Sequence, residues 1–551
     1  MTQIMRRGTG ILLAIVMLLG LSISAFAVSN DTLANAVTDT AQYTYRTVKT
    51  PQVGSIGGEW AIIGLARSEY TVPDEYYQDY YAAVEAYVKA CKGVLHEKKY
   101  TEFSRVIAAL SSIGRDARNV SGYDLTYVLG DYDKTVWQGL NGPIWALIAL
   151  DSRNYPMPTN KEAKTQATRQ MYIDRILECQ LPDGGWSLFG GTASASAGDN
   201  SADADITGMA LQALAKYQDQ EKVKAATEKA LACISKMQNA DGGFGSWGTT
   251  NSESCVQIIV ALCELGIPLD DARFVKNGKT TLDNLMTFYL PGKGFKHTAD
   301  GSGNNQMSSE QGFYALVAAQ RAANGKNSLY RMNDAVTVAD GGNKTVSGLP
   351  GRHVDVKAMP ITVPGKTFKD IVYHDNQSAI EALAAREIIN GKTDTCFDPN
   401  ANMTRAEFAT IVVRALGLTP KANNNFTDVK STDWFASYIG TANTYGIVNG
   451  VGGGKFNPYG TITRQEAATM VARAAKLCGM NTSLESAEIR DVLAQFGDYV
   501  KTAGWARESF AFCFKEDILD QNVLDIQPGI AIKRCEIAQM LFNLLGSANL
   551  L

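Results

Sequence analysis

The chain has 551 residues, of which 52 are lysine or arginine and 56 are aspartate or glutamate. This length exceeds what one hydrophobic core supports, so two or three domains are expected. The mildly acidic balance provides no broad basic surface, which excludes protein classes that bind nucleic acid through one. The nine cysteines show neither a disulfide framework nor a zinc-ligand spacing, so most are predicted to be buried free thiols.

The first 27 residues have the three parts of a secretory signal. Arg6 and Arg7 precede an apolar run at 11–21, and Ala25-Phe26-Ala27 places the cleavage site after residue 27. No later run reaches the roughly 18 apolar residues that cross a bilayer. The mature protein is therefore predicted to be exported, with no transmembrane segment, and the polar residues 28–53 are predicted to form a leader.

A repeat of about sixty residues organises the N-terminal half. The motif QLPDGGW at 180–186 recurs as QNADGGF at 238–244, and each copy is followed by a helix of small and aliphatic residues. Two glycines end a helix sharply, the aspartate can bond the local backbone, and the aromatic ring packs over the turn. Nearly all-apolar helices alternate with amphipathic ones, which predicts an inner and an outer layer of helices. The amphipathic helices are predicted at 75–92, 161–180 and 220–238.

These motifs resemble those of the terpenoid (squalene) cyclase and protein prenyltransferase superfamily, whose repeats carry glutamine and Asp-Gly-Gly-Trp signatures. The resemblance covers residues 54–324 and implies an α/α toroid of helical hairpins around a central hollow. An aromatic and polar lining of such a hollow suits a sugar, a peptide or a cofactor-like ligand. For each aromatic residue, simple filling of the core is the alternative. The predicted lining residues are Trp60, Trp137, Trp186, Asp205, Phe244, Trp247, Gln257 and Gln311.

Asp205 is the single weak candidate for a catalytic residue. In class II terpene cyclases the middle acid of an Asp-x-Asp-Asp motif protonates an alkene, and Asp205 falls on that position, although Ile206 replaces the last acid. The alternative is that Asp203 or Asp205 caps the helix that begins there. Glu59 and Glu310 are the next acids of interest, but no nucleophile, base and orienting group can be assembled from the sequence.

Prenyltransferases of that superfamily hold zinc through aspartate, cysteine and histidine. The four histidines of this chain form no recognisable cluster with cysteine, so neither a metal nor a cofactor is expected. Residues 325–365 lose the helical texture and are rich in glycine and proline, which predicts a linker or a short β-rich spacer.

Three units of about sixty residues follow the linker. They are predicted to open at FKDI (368–371), FTDV (426–429) and RDV (490–492), and to close with helices that start at TRAE (404–407), TRQE (463–466) and KRCE (533–536). The motifs resemble the S-layer homology module in three copies, with boundaries at 366–424, 425–484 and 485–551. That resemblance implies a pseudo-trimer of helices that binds secondary cell-wall polysaccharide, often pyruvylated, in grooves between modules.

The closing motif has one residue without an obvious structural reason. Threonine and glutamate three residues apart form a capping box, but an arginine in the first helical turn opposes the helix dipole, at a cost of about 0.3–1 kcal/mol. Its recurrence predicts that each arginine awaits an anion, such as a carboxylate-bearing glycan. A solvated surface arginine is the alternative.

The resemblance also implies a tryptophan on which the glycan stacks. Trp434 and Trp505 occupy that position in the second and third modules, whereas in the first module it falls at Asp375 or Asn376. The predicted glycan-binding residues are Arg405, Arg464, Arg534, Trp434, Trp505, Asp370, Asp428, Gly391 and Gly450.

The sequence thus predicts a mainly α protein, in which a signal peptide, a toroid, a linker and three S-layer homology modules follow one another. We expect an exported protein anchored non-covalently to the wall polysaccharide. The toroid is expected to be either a non-catalytic binding head or an enzyme with cyclase-like or carbohydrate-processing activity. An acid pair converging in the hollow would favour the enzyme.

Overall fold

The computed structural model describes residues 28–551, apart from 193, 197–199, 247–248, 302, 340–347, 373, 424, 521–522 and 524. The predicted signal peptide at 1–27 and the candidate Trp247 lie outside the described residues. In the described part the fold is mainly helical, with two short antiparallel hairpins. The hairpins are β1 (Gly245–Ser246) with β2 (Thr249–Thr250) and β3 (Tyr289–Leu290) with β4 (Gly294–Phe295). No described helix is both long and apolar enough to cross a membrane.

The N-terminal half forms a closed double layer of helices. Its helices are α1 (Asn30–Thr47), α2 (Trp60–Arg67), α3 (Asp74–Ala90), α4 (Thr101–Ser112), α5 (Tyr132–Thr135), α6 (Asn141–Ser152), α7 (Arg169–Glu178), α8 (Ala204–Leu214), α9 (Glu221–Met237), α10 (Ser252–Leu265), α11 (Thr281–Leu285) and α12 (Gln306–Ala323). The even-numbered helices pack in chain order, and α12 then packs against α2, which closes a ring. The predicted α/α toroid, with an inner and an outer layer, is therefore confirmed.

The inner helices are apolar on nearly every side. In α6 every residue from 142 to 150 is buried, and in α10 every residue from 252 to 264 except Gln257. Such helices must be covered all round, and the outer helices α7, α9 and α11 pack against α6, α8 and α10 respectively. Helix α7 is shorter than predicted, because it begins only at Arg169.

The repeated turn works as its sequence predicts. Gly184 and Gly242 have φ angles of 99° and 84°, which side chains rarely adopt. The Asp183 carboxylate accepts a hydrogen bond from the Gly185 N–H at 3.2 Å, and Asp241 does the same for Gly243 at 3.0 Å. The glutamine of each motif ties its turn to the next outer layer, because Gln180 Nε2 donates to the carbonyls of Gly184 and Ala226 at 2.8 Å.

The predicted leader is wrong, because residues 30–47 form helix α1 of the outer layer. Its buried residues Leu33, Ala36, Val37, Thr40, Ala41 and Thr44 recur at helical spacing. They pack against α12 and α2. Because threonines and alanines supply much of this face, its hydrophobic pattern is weak in the sequence.

The predicted linker is a pair of straps rather than a spacer, and its described residues contain no strand. Residues 328–338 cover the C-terminal end of the ring, where Met332 N–H donates to the Ser152 carbonyl at 2.7 Å and Val338 N–H to Ile113 at 3.0 Å. Arg67 at the end of α2 donates to the carbonyls of Ser328, Leu329 and Arg331. Residues 348–357 cover the base of the C-terminal half in the same way.

The C-terminal half has approximate three-fold symmetry. Its helices are α13 (Gln377–Ala384), α14 (Arg405–Ala415), α15 (Ala436–Thr444), α16 (Arg464–Leu477), α17 (Ser486–Leu493), α18 (Arg507–Lys515) and α19 (Arg534–Ser547). Helices α14, α16 and α19 pack around the centre, while α15 packs on α14, α18 on α16, and α13 on α19. Each unit therefore places its first helix on the central helix of the preceding unit, and the first unit closes the cycle on the third.

The third unit opens later than predicted. Asp370 accepts hydrogen bonds from the N–H groups of Phe397 and Asp398, and Asp428 from those of Phe456 and Asn457. In the third unit this role belongs to Asp498, which accepts from Ile526 at 2.7 Å and from Gln527 at 2.9 Å. The opening motif is thus Phe496-Gly497-Asp498, whereas Asp491 pairs with its exposed neighbour Arg490.

The first turns of the central helices hold the three units together. The N–H groups of Arg405, Arg464 and Arg534 donate to the carbonyls of Gly460, Ile530 and Ala401 at 2.9–3.0 Å, each in another unit. The arginine side chains make the same crossing. Arg405 forms an ion pair with Glu466, and Arg464 with Glu536. These glutamates are the capping-box residues of the next helix.

We predict that Trp186 stabilises the ring and contacts no ligand. Its side chain is fully buried, and its indole N–H donates to the Ile176 carbonyl at 2.7 Å. Trp186→Ala should lower the free energy of unfolding of the ring by about 3–5 kcal/mol, as expected when a buried tryptophan is truncated. Urea unfolding followed by circular dichroism measures this loss. Trp137→Ala is the matched control, since 59% of Trp137 is exposed; equal losses would contradict the prediction.

We also predict that Arg405 clamps the first unit to the second. Arg405→Ala leaves the carboxylate of Glu466 without its cation and removes a hydrogen bond to the Phe456 carbonyl. The C-terminal half should lose about 2–4 kcal/mol, near the range for breaking a buried pair. Arg490→Ala, which breaks an exposed pair, should change stability by less than about 1 kcal/mol. A similar midpoint shift for both variants in denaturant unfolding would refute the clamp.

Candidate functional site

Two regions bring together the residues singled out in the sequence. The first is the mouth of the ring, where the inner helices begin. The second is the set of seams between the three C-terminal units. We define seam A as the contact of α19 with α13, seam B as that of α14 with α15, and seam C as that of α16 with α18.

At the mouth, Asp203 and Asp205 have different roles. Asp203 is the cap of α8, because its Oδ1 accepts hydrogen bonds from the N–H groups of Asp205 at 3.0 Å and Ile206 at 3.1 Å. Asp205 sits in the first helical turn and makes no such bond. Its Oδ1 is buried without a hydrogen-bond partner among the described residues. The capping alternative therefore holds for Asp203 and not for Asp205.

The environment of Asp205 favours its protonated form. Burial raises the pKa of Asp205 to about 7, and the negative charges of Asp203 and Glu253 raise it further. Ser254, at the start of α10, lies beside the carboxyl and lowers this pKa, although its hydroxyl does not reach hydrogen-bonding geometry. A carboxyl group of this kind can hold a proton near neutral pH.

Glu253 is the second acid at this place, and the sequence gave no signal for it. Its Oε2 lies 2.8 Å from His297 Nδ1 and accepts from the Ser252 hydroxyl, while Oε1 accepts from the Ser308 hydroxyl. Hydrogen bonding to Glu253 raises the pKa of His297 above its ordinary value, against partial burial. His297 remains 53% exposed, so the imidazole links the buried acid to the surface.

Amide side chains continue the polar lining on α8, α10 and α12. Gln257 Nε2 donates to Gln311 Oε1 at 3.3 Å and to the Tyr314 hydroxyl oxygen at 3.2 Å. Gln212 Nε2 in turn donates to Gln257 Oε1 at 3.0 Å. The predicted lining residues Asp205, Gln257 and Gln311 are all partly exposed and come together here.

Aromatic side chains fill the middle of the ring. The Trp60 ring lies 5.4 Å from that of Trp145 and 5.7 Å from that of Tyr314, and Tyr330 of the strap lies 6.0 Å from Trp145. Helices α2 and α6 are not neighbours in the ring, so Trp60 and Trp145 meet across its centre. Trp60 is buried at this contact and forms the floor of the mouth.

Three other aromatic predictions have different outcomes. Trp186 and Phe244 are completely buried, so they pack the repeated turns and do not line a hollow; the lining prediction is wrong for both. Trp137 is exposed, with the Lys98 ammonium 5.7 Å from its ring, and lies outside this cluster.

The further acids named from the sequence are structural. The Glu310 carboxylate accepts hydrogen bonds from Gly57 N–H and from Gln306 Nε2, both at 2.9 Å. Burial raises the pKa of Glu310 to about 8. Glu59 accepts from Gly54 N–H at 2.9 Å, and burial raises its pKa to about 7 despite Arg105 nearby. Across the described residues, no group of three or more histidine, cysteine, aspartate or glutamate side chains is placed to hold a metal ion.

Seam B carries an open aromatic surface. Trp434 is 60% exposed and Tyr459 is 72% exposed, and both rings contact the buried Phe435, with centroids 5.3 and 5.5 Å away. The loop that carries Tyr459 bonds to the start of α14, so this surface adjoins Arg405. Sequence reasoning missed Tyr459, although it follows the repeated Phe-Asn-Pro motif.

Seam C has a similar but smaller surface. Trp505 is 58% exposed. Arg464 pairs with Glu536, but its Nε is buried without a hydrogen-bond partner in the described structure. In seams A and B the corresponding Nε atoms donate to the carbonyls of Phe397 at 3.0 Å and Phe456 at 2.9 Å. Seam C therefore keeps a free guanidinium donor.

The premise that the arginines lack a structural partner is wrong. Arg405 and Arg464 are compensated by glutamates 61 and 72 residues away. Arg534 has no such ion pair among the described residues, and it donates to the carbonyls of Phe397 and Asn390. Burial lowers the pKa of Arg534, although nearby acids oppose the effect.

The repeated aspartates and glycines also shape the units. Burial alone would raise the pKa of Asp370 and Asp428, but backbone N–H donors lower it below the ordinary value. A Cβ added at Gly391 would lie 2.5 Å from the Phe368 ring, and one at Gly450 would lie 2.7 Å from the Phe426 ring. These four residues fix the loops that border the seams.

Seam A is occupied by the ring. Asp375 Oδ1 accepts hydrogen bonds from Asn305 Nδ2 at 3.2 Å and from Gln306 N–H at 3.3 Å, at the start of α12. Ser378 donates to the Ile56 carbonyl. Asn376 instead bonds Gln539 of α19 at 3.1 Å. The position that carries tryptophan in seams B and C is therefore a contact with the ring in seam A.

Comparison with known proteins identifies the C-terminal units. The S-layer homology domain model matches residues 367–409 and 425–468. Exoglucanase XynX of Acetivibrio thermocellus is 34% identical over 186 residues, 33% of this chain and 16% of that protein. The surface layer protein of Brevibacillus choshinensis is 39% identical over 103 residues, 18% of this chain and 9% of that protein. The chain thus spans less than a fifth of the length of these relatives.

Solved structures resemble the chain only distantly. Unsaturated glucuronyl hydrolase from Bacillus sp. GL1 aligns with 54% of this chain and 99% of its own, at a TM-score of 0.37 and 11% identity. Candida albicans protein geranylgeranyltransferase-I aligns with 53% of this chain and 92% of its own, at a TM-score of 0.35 and 12% identity.

The family match and the three-fold cycle of helices agree on the C-terminal half. Residues 367–409 and 425–468 are therefore S-layer homology domains, which places this protein, with its closed helical ring, at the cell surface.

Proposed function

We propose that seams B and C hold the protein on secondary cell-wall polysaccharide while the ring is displayed as a head. The observation that carries this proposal is the exposure of Trp434 and Trp505, each beside a guanidinium group at a seam. Large exposed aromatic rings cost free energy in water and are a common means of stacking sugars. The proposal includes pyruvylated polymers, whose carboxylates suit an arginine.

The free donor of Arg464 supports acid recognition in seam C. Its Nε has no hydrogen-bond partner in the described structure, and a buried unpaired donor is costly. A sugar carboxylate that reached this atom would satisfy the donor and share the guanidinium with Glu536. In seam B the same atom of Arg405 is already bonded, so stacking on Trp434 and Tyr459 carries more of the binding there.

Seam A is not part of the proposed wall-binding surface. It has no tryptophan, and its equivalent position, Asp375, accepts a hydrogen bond from the N-terminal N–H of α12. An acid at a helix start is favoured by the helix dipole. We infer that the first module has exchanged a sugar platform for a contact with the head.

We predict that the two tryptophans account for wall binding. Trp434→Ala and Trp505→Ala should each weaken co-sedimentation with purified cell walls by about 5-fold to 100-fold, from the loss of about 1–3 kcal/mol of stacking free energy. The double variant should fall to background, because seam A offers no third platform. Removal of pyruvyl groups from the walls should weaken the wild type most at seam C.

Trp137→Ala is the matched control, because it removes an equally exposed tryptophan from the head. It should sediment like the wild type. A double variant that still binds at more than about a tenth of the wild-type affinity would contradict the assignment to seams B and C.

For the head, the structure offers an observation that favours the enzyme over the purely binding role. Asp205 is largely buried, its Oδ1 has no partner among the described residues, and a second acid, Glu253, lies near enough to raise its pKa. A residue that only capped a helix would bond the N–H groups, as Asp203 does. We therefore include a ligand-processing head as the second part of the proposal.

A further inference from the structure

A carboxyl group, a carboxylate and an imidazole meet at the mouth of the ring. They come from three separate segments: Asp205 from the first turn of α8, Glu253 from that of α10, and His297 from the loop before α12. Tyr314 senses both acids, because burial raises its pKa and the charges of Glu253 and Asp205 raise it further. The three groups and the amide belt therefore share one neighbourhood, above a floor formed by Trp60.

The two acids are prepared for different tasks. Both oxygens of Glu253 are occupied by hydrogen bonds, from Ser252 and Ser308 hydroxyls and from His297. Asp205 has one buried oxygen without a partner. Burial raises the pKa of Asp205 to about 7, whereas bonding to Glu253 raises the pKa of His297. Neighbouring groups whose environments set different proton affinities are the usual sign of an acid and a base.

The contacts also narrow the type of reaction. Acyl transfer needs a nucleophile activated by a base, but the nearby Ser308 hydroxyl donates to Glu253 and not to His297. Cleavage of a glycosidic bond needs only a proton donor on one side and a base for water on the other. Its oxocarbenium-like transition state requires no oxyanion hole. The amides of Gln257 and Gln311 add donors and acceptors that match sugar hydroxyls.

We propose that Asp205 and the Glu253–His297 pair form an acid–base centre that hydrolyses a glycosidic bond of a saccharide bound in the mouth. Asp205 gives its proton to the glycosidic oxygen, which leaves with the electron pair of the broken C–O bond. His297 takes a proton from water, whose oxygen forms the new bond to the anomeric carbon. The products are an alcohol and a hemiacetal, and the proton returns from His297 to Asp205 through solvent.

Glu253 is a positioning residue in this scheme. It holds Nδ1 of His297 at 2.8 Å, which leaves the other ring nitrogen for water. The inference deepens the second part of the proposed function and does not depend on wall binding. A head that fails to cleave sugar leaves the role of Trp434 and Trp505 unchanged.

The pH dependence follows from the signs of the two shifts. Asp205 holds its proton below about pH 7, so the rate falls as pH rises through that value. His297 must be neutral to accept a proton, so the rate also falls as pH drops below its raised pKa. The expected profile is a narrow bell near pH 7. The charged or titratable groups that influence Asp205 are Asp203, Glu253, Tyr314 and Cys255.

The test uses the full mature chain and measures new reducing ends released from purified wall polysaccharide, from peptidoglycan and from a panel of aryl glycosides. We expect Asp205→Asn to lower kcat by about 10²-fold to 10⁴-fold, the usual contribution of a general acid. His297→Gln should have a similar effect on the water step. Glu253→Gln should move the acidic limb of the pH profile to lower pH, because His297 loses its carboxylate partner.

Two matched variants separate the acid from its surroundings. Glu310→Gln removes another buried acid with a raised pKa and should keep wild-type activity. Asp203→Asn keeps a helix cap but removes a negative charge beside Asp205, so the alkaline limb should move to lower pH. Carbon-13 NMR titration of Asp205 provides a readout that needs no substrate.

The proposal fails on any of three results. These are no new reducing ends from any of the three substrates, an Asp205→Asn variant that keeps the wild-type rate, or an Asp205 carboxyl that titrates near pH 4. All variants should sediment with cell walls like the wild type. Loss of sedimentation in the head variants would instead overturn the separation of head and anchor.

Discussion

The first N–H groups of an α-helix have no partner inside the helix, and both halves of this protein are organised by how that need is met. In the ring, Asp203, Asn251 and Asn305 cap α8, α10 and α12 with their side chains. In the C-terminal half, carbonyl groups of another unit accept from the first helical N–H groups. The ring consequently gathers polar side chains at one end, while the three modules become a closed cycle of mutual contacts.

This difference explains where chemistry and binding reside. The inner helices of the ring are apolar along most of their length, so polar groups are concentrated at their starts. The opposite end is covered by residues 328–338, which bond to the ends of α2, α4 and α6. In the modules, the helix starts are consumed by packing, so the open surfaces are the seams beside them, where Trp434, Tyr459 and Trp505 remain exposed.

Features that depend on neighbours in the sequence were predictable. The turns at 180–186 and 238–244 need only local hydrogen bonds and a positive φ, and the capping boxes at Thr404 and Thr463 span three residues. The ring closure followed from the alternation of apolar and amphipathic helices. Helix α1 was missed because threonine and alanine form much of its buried face, and a period of 3.6 residues is hard to see without large apolar side chains.

Features that depend on distant residues were not predictable. The arginine at the start of each central helix looks unfavourable within its own helix, and its compensation by Glu466 or Glu536 requires the folded cycle. The nearness of Glu253 to Asp205 also needs α8 and α10 to lie side by side, although 48 residues separate the two acids. A single sequence gives the type of each residue at these sites but not its partner.

The contact at seam A joins the two functions. Asp375 of the first module bonds the start of α12, which is the same end of the ring at which α8 and α10 present Asp205 and Glu253. Because the other end is covered, a ligand of the head must enter from the side that adjoins the wall-binding half. A polysaccharide held at seams B and C would therefore run beside the opening of the ring. The loss of tryptophan from the first module costs one wall contact, and in return it fixes the orientation of the head towards the polymer.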